Sequence, residues 1–208
     1  MIAGIVLAAG RSSRLGRPKQ LLPIHGEPLL RYTVRRILAS PLDDVFVVVG
    51  HEADAVHAAI ADLPVQIVFN ADFARGQSTS VRAGLGALSP ETEAAVFLLG
   101  DQPGIDPNLI AALIAAWRAS NAPAVAPHYS NGVGNPVLFD CSVYTNLLTL
   151  EGDQGAKPII RDLELKGLLE TVAVPHASPP DIDTNSDYAA LLASTKSPSP
   201  CAQGEGLG

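Results

Sequence analysis

Four short apolar runs, each cut off by a glycine or an asparagine, govern what this chain can fold into. They are Ile2 to Ala8 ahead of Gly10, Val45 to Val49 ahead of Gly50, Val65 to Phe69 ahead of Asn70, and Ala95 to Leu99 ahead of Gly100. Short runs rich in branched side chains read as strands buried on both faces, the habit of parallel sheets. Between them lie helical stretches. Residues 28–40 place Leu30, Val34, Ile37 and Leu38 on one face and Arg31 and Arg35 on another, and Glu52 to Leu63 is rich in alanine. Alternation of this kind predicts an α/β fold with a doubly wound sheet.

The rest of the chain continues the pattern. Ser78 or Thr79 is expected to cap a helix carrying Val81, Leu85 and Leu88, and Asp106-Pro107 opens another that runs to about Ala119. Two short strands within 123–139 flank the turn Ser130 to Gly134. A helix near 141–149, a capped segment from Asp153, a strand at 170–174 and a helix from Asn185 to Ala193 follow. We expect a single domain over residues 1–193 and a disordered tail over 194–208, where Ser, Pro and Gly leave little to bury.

Composition narrows the class. A net charge of −7 argues against a nucleic-acid partner, which calls for a broad basic face. No apolar run reaches the roughly 18 residues of a membrane span. The start lacks a charged segment followed by a cleavage site, and a cytoplasmic location is expected. Cys141 and Cys201 provide no disulfide framework. The five histidines (His25, His51, His57, His128, His176) lack zinc-ligand spacing, and no G-x-S-x-G elbow or Cys/His pair marks a covalent nucleophile.

Against this acidic background, Arg11, Arg14, Arg17 and Lys19 place four of the fourteen Lys and Arg residues within nine positions. They sit on the loop that leaves the first strand at Gly10, where α/β folds bind ligands. Successive N–H groups of such a loop form an anion-binding concavity, and guanidinium forks match phosphate oxygens in pairs. Gly16 is followed by Arg17-Pro18, so the loop is not a Walker A loop. Gly10 and Gly16 also do not fit G-x-G-x-x-G, and Pro18 argues against a helix running straight out of the loop. Asp101 follows the strand Val96 to Gly100 directly. It either caps the turn before Pro103 or offers its charge at the sheet edge; Asp181 and Asp183 either cap the last helix or join it. A triphosphate held by Arg and Lys calls for Mg²⁺, which takes one or two carboxylates plus phosphate oxygens. Asp101 and Asp183 are the candidates.

Taken together, several stretches resemble the nucleotidyltransferase superfamily with the nucleotide-diphospho-sugar transferase type of fold, closest to its molybdenum-cofactor cytidylyltransferase branch. These are Leu7-Ala8-Ala9-Gly10 through Arg14-Leu15-Gly16 and Lys19, Gly76 to Leu85, Gly100-Asp101-Gln102-Pro103, Gly134 to Phe139, Gly152 to Ala156, and Asp181 to Thr184. The resemblance implies a three-layer α/β/α domain with a mostly parallel sheet. It further implies Mg²⁺-dependent transfer of CMP from CTP, or of another nucleotide, to a small phosphorylated acceptor such as molybdopterin, and a delivery contact with a molybdoenzyme or its chaperone. By the same resemblance, Arg14, Lys19, Asp101 and Asp183 are catalytic, with Asp101 and Asp183 on the metal. The nucleotide site comprises Leu7, Ala8, Ala9, Gly10, Arg11, Ser12, Ser13, Lys19, Asn70, Ser78, Ser80, Gly100 and Asp101, with Ser80 facing the base. The acceptor site comprises Gln102, Gly134, Asn135, Pro136, Gly152, Asp153 and Gly155. Two positions depart from the family's habit: Asn131-Gly132-Val133 stands where basic residues are frequent, and Lys157 where arginine is. The rival classes are a nicotinamide-dependent oxidoreductase, disfavoured by the missing fingerprint, and a non-catalytic nucleotide-binding or cofactor-delivery protein.

Overall fold

The computed structural model describes residues 1–196. The sheet is built from β1 (Ile2–Leu7), β4 (Asp44–Val49), β5 (Gln66–Phe69), β6 (Ala94–Leu99), β7 (Ala124–Tyr129), β8 (Gly132–Val133), β9 (Val137–Asp140) and β10 (Leu169–Ala173), while β2 (Pro23–Ile24) and β3 (Glu27–Pro28) form a separate two-stranded ribbon. The strand order is β10-β7-β9-β6-β1-β4-β5, with β8 beside β7. β1 runs parallel to β4 and β6, β4 to β5, and β10 to β7, while β9 runs antiparallel between β6 and β7. The sheet is thus mixed and mostly parallel.

Alternate residues of each central strand feed opposite faces. Val6, Val47, Val96 and Leu98 pack with α1 (Leu29–Ile37), α2 (Ala53–Ala58) and α4 (Pro107–Ser120); Ile5, Val48, Ala95 and Phe97 pack with α3 (Gln77–Gly86), α5 (Tyr144–Leu148) and α6 (Lys157–Leu165). Helices therefore cover both faces, and each fully buried Ile, Leu or Val contributes about 1.5–3 kcal/mol. Leu30, Val34 and Ile37 form the buried stripe of α1, while Arg31 turns outward to Asp62 at 2.5 and 2.8 Å. The last helix, α7, spans Asn185–Lys196, so residues 194–196 of the tail expected to be disordered over 194–208 extend the helix instead; the rest of that expectation, 197–208, lies outside the described residues.

Three local expectations need correction. The helix read from Glu52 to Leu63 is confined to Ala53–Ala58, after which Ile60 N–H donates to His57 and Leu63 N–H to Ile60 in tighter turns that lead to Pro64. Helix α3 is not capped by Ser78 or Thr79: it starts at Gln77, and both residues lie inside its first turn. Nor does Asp153 cap α6, which begins at Lys157 without a side-chain cap. Asp153 instead caps α3, where its Oδ1 accepts from Gln77 N–H at 3.1 Å and the Gly152 carbonyl accepts from Ser78 N–H at 3.1 Å.

Candidate active site

The register between β1 and β6 decides where the chemistry sits. Leu7 pairs with Leu99 and Gly100 N–H donates to the Leu7 carbonyl, so both strands end at one level and release the Gly10 loop and Asp101 side by side. A cleft of about 800 Å³ opens there. One wall is Leu7 to Arg14 with Lys19 and Gln20; a second is Phe73 to Gln77 with Ser80 and Val81; a third is Gly152 to Lys157. Phe97, Leu99, Val137 and Phe139 also line it, together with Asn135, Asp181 and Asp183.

The basic loop is braced from beneath by a residue not singled out in the sequence. Gln20 is buried, and its amide donates to the carbonyls of Ala8 at 2.7 Å and Gly10 at 3.0 Å. The Ala9 carbonyl is taken by His51 N–H. With its carbonyls turned into the fold, the loop offers a ligand its N–H groups. Ser12 adopts the left-handed conformation, φ 54°, and its hydroxyl accepts from Lys19 N–H at 3.0 Å, which folds the chain back so that Lys19 points into the cleft. Gln20→Leu would leave the buried Ala8 carbonyl without its partner. We expect it to destabilise the protein by about 1–3 kcal/mol, read as a fall in thermal midpoint; an unchanged midpoint would refute the brace.

Lys19 is the junction of the site. Its ammonium contacts Asp101 Oδ2 directly and Asp183 Oδ1 at 2.9 Å, while Arg14 holds Asp183 Oδ2 at 3.1 Å. Lys19 and Asp101 are only 16% and 14% exposed, Arg14 70%. Burial alone would pull the Lys19 pKa down, but the charges and hydrogen bonds of two carboxylates lift it above its ordinary value. Burial pushes the Asp101 carboxyl up, against the pull of Lys19 and with help from the Asp181 charge. Lys19 has two anions to serve it and Asp101 a single shared cation, so Lys19 keeps its charge the more easily.

Asp183 reaches this point because its neighbours are anchored. Ile182 is buried with Leu15, Leu22, Ile24 and Leu29, and its N–H donates to the Asp101 carbonyl at 3.3 Å. Asp181 Oδ1 accepts from the Gln102 amide at 2.7 Å. The alternation acid–apolar–acid at 181–183 was the available signal: a buried middle residue sends both carboxylates to the cleft side. The last helix is closed separately by Thr184 and Asp187, each side chain accepting from the other's backbone N–H.

The remaining candidates divide. Leu7 to Arg14, Lys19, Ser80, Gly100, Asp101, Asn135, Gly152, Asp153, Gly155 and Asp183 line the cleft. Asn70, Ser78, Gln102, Gly134 and Pro136 do not line it. Asn70 is buried and donates to the hydroxyls of Thr79 at 2.8 Å and Ser80 at 3.0 Å, so it orients Ser80 from behind. Ser78 is buried in the first turn of α3, Gln102 is turned onto Asp181, and Gly134 lies against the Tyr129 ring. Pro136 joins Asn135 through a cis peptide. Lining residues missed in the sequence include Gln20, Phe73, Gln77, Phe97 and Phe139; the three phenylalanines have the look of core, and no local pattern marks the two glutamines.

Residues 4–168 match the model of the MobA-like NTP transferase domain. The chain is 32% identical to the nicotine blue oxidoreductase of Paenarthrobacter nicotinovorans over 77% of its own length and 81% of the relative's. It is 29% identical to the molybdenum cofactor cytidylyltransferase of Escherichia coli over 64% and 67% of the two chains. The crystal structure of Rv0371C from Mycobacterium tuberculosis H37Rv, a complex with manganese, superposes with a TM-score of 0.80 at 33% identity, covering 93% of this chain and 98% of that one. The matched stretch takes in every wall of the cleft except the Asp181–Asp183 segment, and the chain belongs to the MobA-like NTP transferase domain family.

Proposed function

We propose that the protein transfers a nucleotidyl group, CMP from CTP as first choice, to a small phosphorylated acceptor, with molybdopterin or the molybdenum cofactor as the leading candidate. The observation that carries this reading is the meeting of Lys19 with Asp101 and Asp183 beside an N–H-lined loop. The cytidylyltransferase relative from Escherichia coli supports the choice of base and acceptor. Delivery of the product to a molybdoenzyme or its chaperone, in the cytoplasm, belongs to the same proposal.

Fit to a divalent metal rests on the donor set. Among the described residues no cluster of three or more acidic, His or Cys side chains gathers, but Asp101 and Asp183 already converge on one cationic atom, and a hard cation needs only such a pair plus phosphate oxygens. Mg²⁺ held by these two carboxylates would neutralise the triphosphate. An acceptor phosphate oxygen attacks the α-phosphorus in line, the bond to the β-bridging oxygen breaks, and pyrophosphate leaves with the electron pair. A phosphate nucleophile needs no general base, so positioning and charge stabilisation by the chain supply the rate. The loop amides and Arg14 hold the departing pyrophosphate, and Lys19 faces the α-phosphate. Pyrophosphate release, tested for each nucleoside triphosphate against phosphorylated acceptors, is the direct test: release with CTP and an acceptor supports the reading, and no release with any pair rejects it.

A second reading, oxidoreduction with a nicotinamide cofactor, takes its support from the Paenarthrobacter relative, which is named an oxidoreductase. Thermal shift separates the two. Under nucleotidyl transfer CTP raises the midpoint and NAD(P)H does not; at a hundred times its Kd a ligand adds about 2.7 kcal/mol.

A further inference from the structure

We infer that Lys19 is the resident counter-ion of the metal position, so that a divalent cation and the Lys19 ammonium exclude one another and the nucleotide is what releases Lys19. This rests on the transfer reading above and adds an order of binding to it.

The contacts support exclusion. Of the four oxygens on Asp101 and Asp183, Lys19 holds Asp101 Oδ2 and Asp183 Oδ1, and Arg14 holds Asp183 Oδ2. A cation held by both carboxylates would compete with the ammonium for Asp101 Oδ2 and Asp183 Oδ1. The charges point the same way. Asp101 and Asp183 face one ammonium and one guanidinium, and the two further acids nearby are engaged elsewhere, Asp181 by the Gln102 amide and Asp187 by the N–H and hydroxyl of Thr184. Two carboxylates already matched by two cations offer a bare divalent cation less attraction than two free ones. A triphosphate changes this. Lys19 and Arg14 both line the cleft beside the Gly10 loop, so both can turn to phosphate oxygens and leave two uncompensated carboxylates for the metal. Nucleotide and metal then bind with positive coupling that exceeds what chelation by the nucleotide alone gives, and by reciprocity the metal tightens nucleotide binding equally.

The competition is measured without nucleotide, which removes chelation from the comparison. Mn²⁺ is titrated into the full chain and its Lys19→Met variant, with free Mn²⁺ followed by electron paramagnetic resonance. We expect the variant to bind Mn²⁺ at least tenfold more tightly than the unaltered protein, and Lys19→Met/Asp101→Asn to lose that gain. Equal or weaker binding by Lys19→Met overturns the inference. Should Lys19→Met not fold, the unaltered chain still decides. Acetylation of Lys19 by a water-soluble ester, followed by peptide mass spectrometry, is expected to speed up several-fold in saturating Mn²⁺, and an unchanged rate overturns the exclusion. Neither measurement involves turnover. If the transfer reading alone fails, no triphosphate yields pyrophosphate while the Mn²⁺ competition persists. If this inference alone fails, transfer proceeds and the two Mn²⁺ affinities coincide.

Discussion

Asp101→Asn is expected to lower nucleotidyl-transfer turnover by about a hundred- to a thousandfold while leaving the fold nearly as stable as before. The size follows from removing one preorganised charge from a partly desolvated site, where such a group is worth roughly that much. The small structural effect follows from the geometry. Asparagine keeps the shape of the side chain and an oxygen that can accept from Lys19, and Lys19 retains Asp183 at 2.9 Å. Burial also disfavours the ionised Asp101. A carboxyl whose pKa is raised on folding binds more protons folded than unfolded, so its contribution to stability falls as pH rises from the unfolded pKa through the folded one. Removing that charge relieves the protein of this penalty above the ordinary carboxylate range. Turnover with saturating Mg²⁺ and thermal midpoints of the two proteins, measured together, check both halves. Near-normal turnover sinks the metal-binding role of Asp101. A collapsed midpoint with proportionate loss of activity makes the residue a structural one.

What the sequence disclosed and withheld has a common physical basis. Strands β1, β4 and β6 are buried on both faces, so their residues are apolar without interruption and show themselves. Asp101 stands out for the related reason that a charge directly after such a strand must emerge at the sheet edge. Contacts between segments far apart in the chain leave no such trace. The cap on α3 comes from Gly152 and from Asp153, the latter 76 residues from the Gln77 N–H it accepts from, so the local pattern points wrongly to Ser78 or Thr79. The convergence of Asp183 on Lys19 spans 164 positions: the acid–apolar–acid spacing marks Asp183 as a candidate, but its meeting with Lys19 is made by tertiary packing. Gln20 looked like an ordinary polar residue after a lysine, because burial and two backbone carbonyls define its role. The antiparallel insertion of β9 between β6 and β7 likewise depends on pairing, which strand composition does not encode.

The two glycines at the ends of α3 should respond to alanine with opposite signs. Gly76, just ahead of the helix, has φ 112° and ψ 168°, a conformation essentially reserved for glycine. A Cβ placed there would lie 2.4 Å from both the carbonyl carbon and the oxygen of Gly152. Those are backbone atoms, and Gly152 is also held by Ser78 N–H, so relief requires the whole Gly152–Gly155 segment to move off the helix. Backbone strain and overpacking each cost about 1–3 kcal/mol. Gly76→Ala is therefore expected to lower the thermal midpoint on the order of 10 °C, at roughly 2–4 °C per kcal/mol for a chain of this size. Gly86 closes the same helix with no heavy atom within 4 Å of its would-be Cβ and no positive φ. Gly86→Ala should raise the midpoint by a degree or two, since alanine is favoured in a helix by about 0.5–1 kcal/mol. The segments that meet at Gly76 form two walls of the cleft, so Gly76→Ala should also shrink the midpoint shift produced by CTP, while Gly86→Ala leaves it intact. If Gly76→Ala lost stability but kept the full CTP shift, the contact between these walls would serve the fold and not the site.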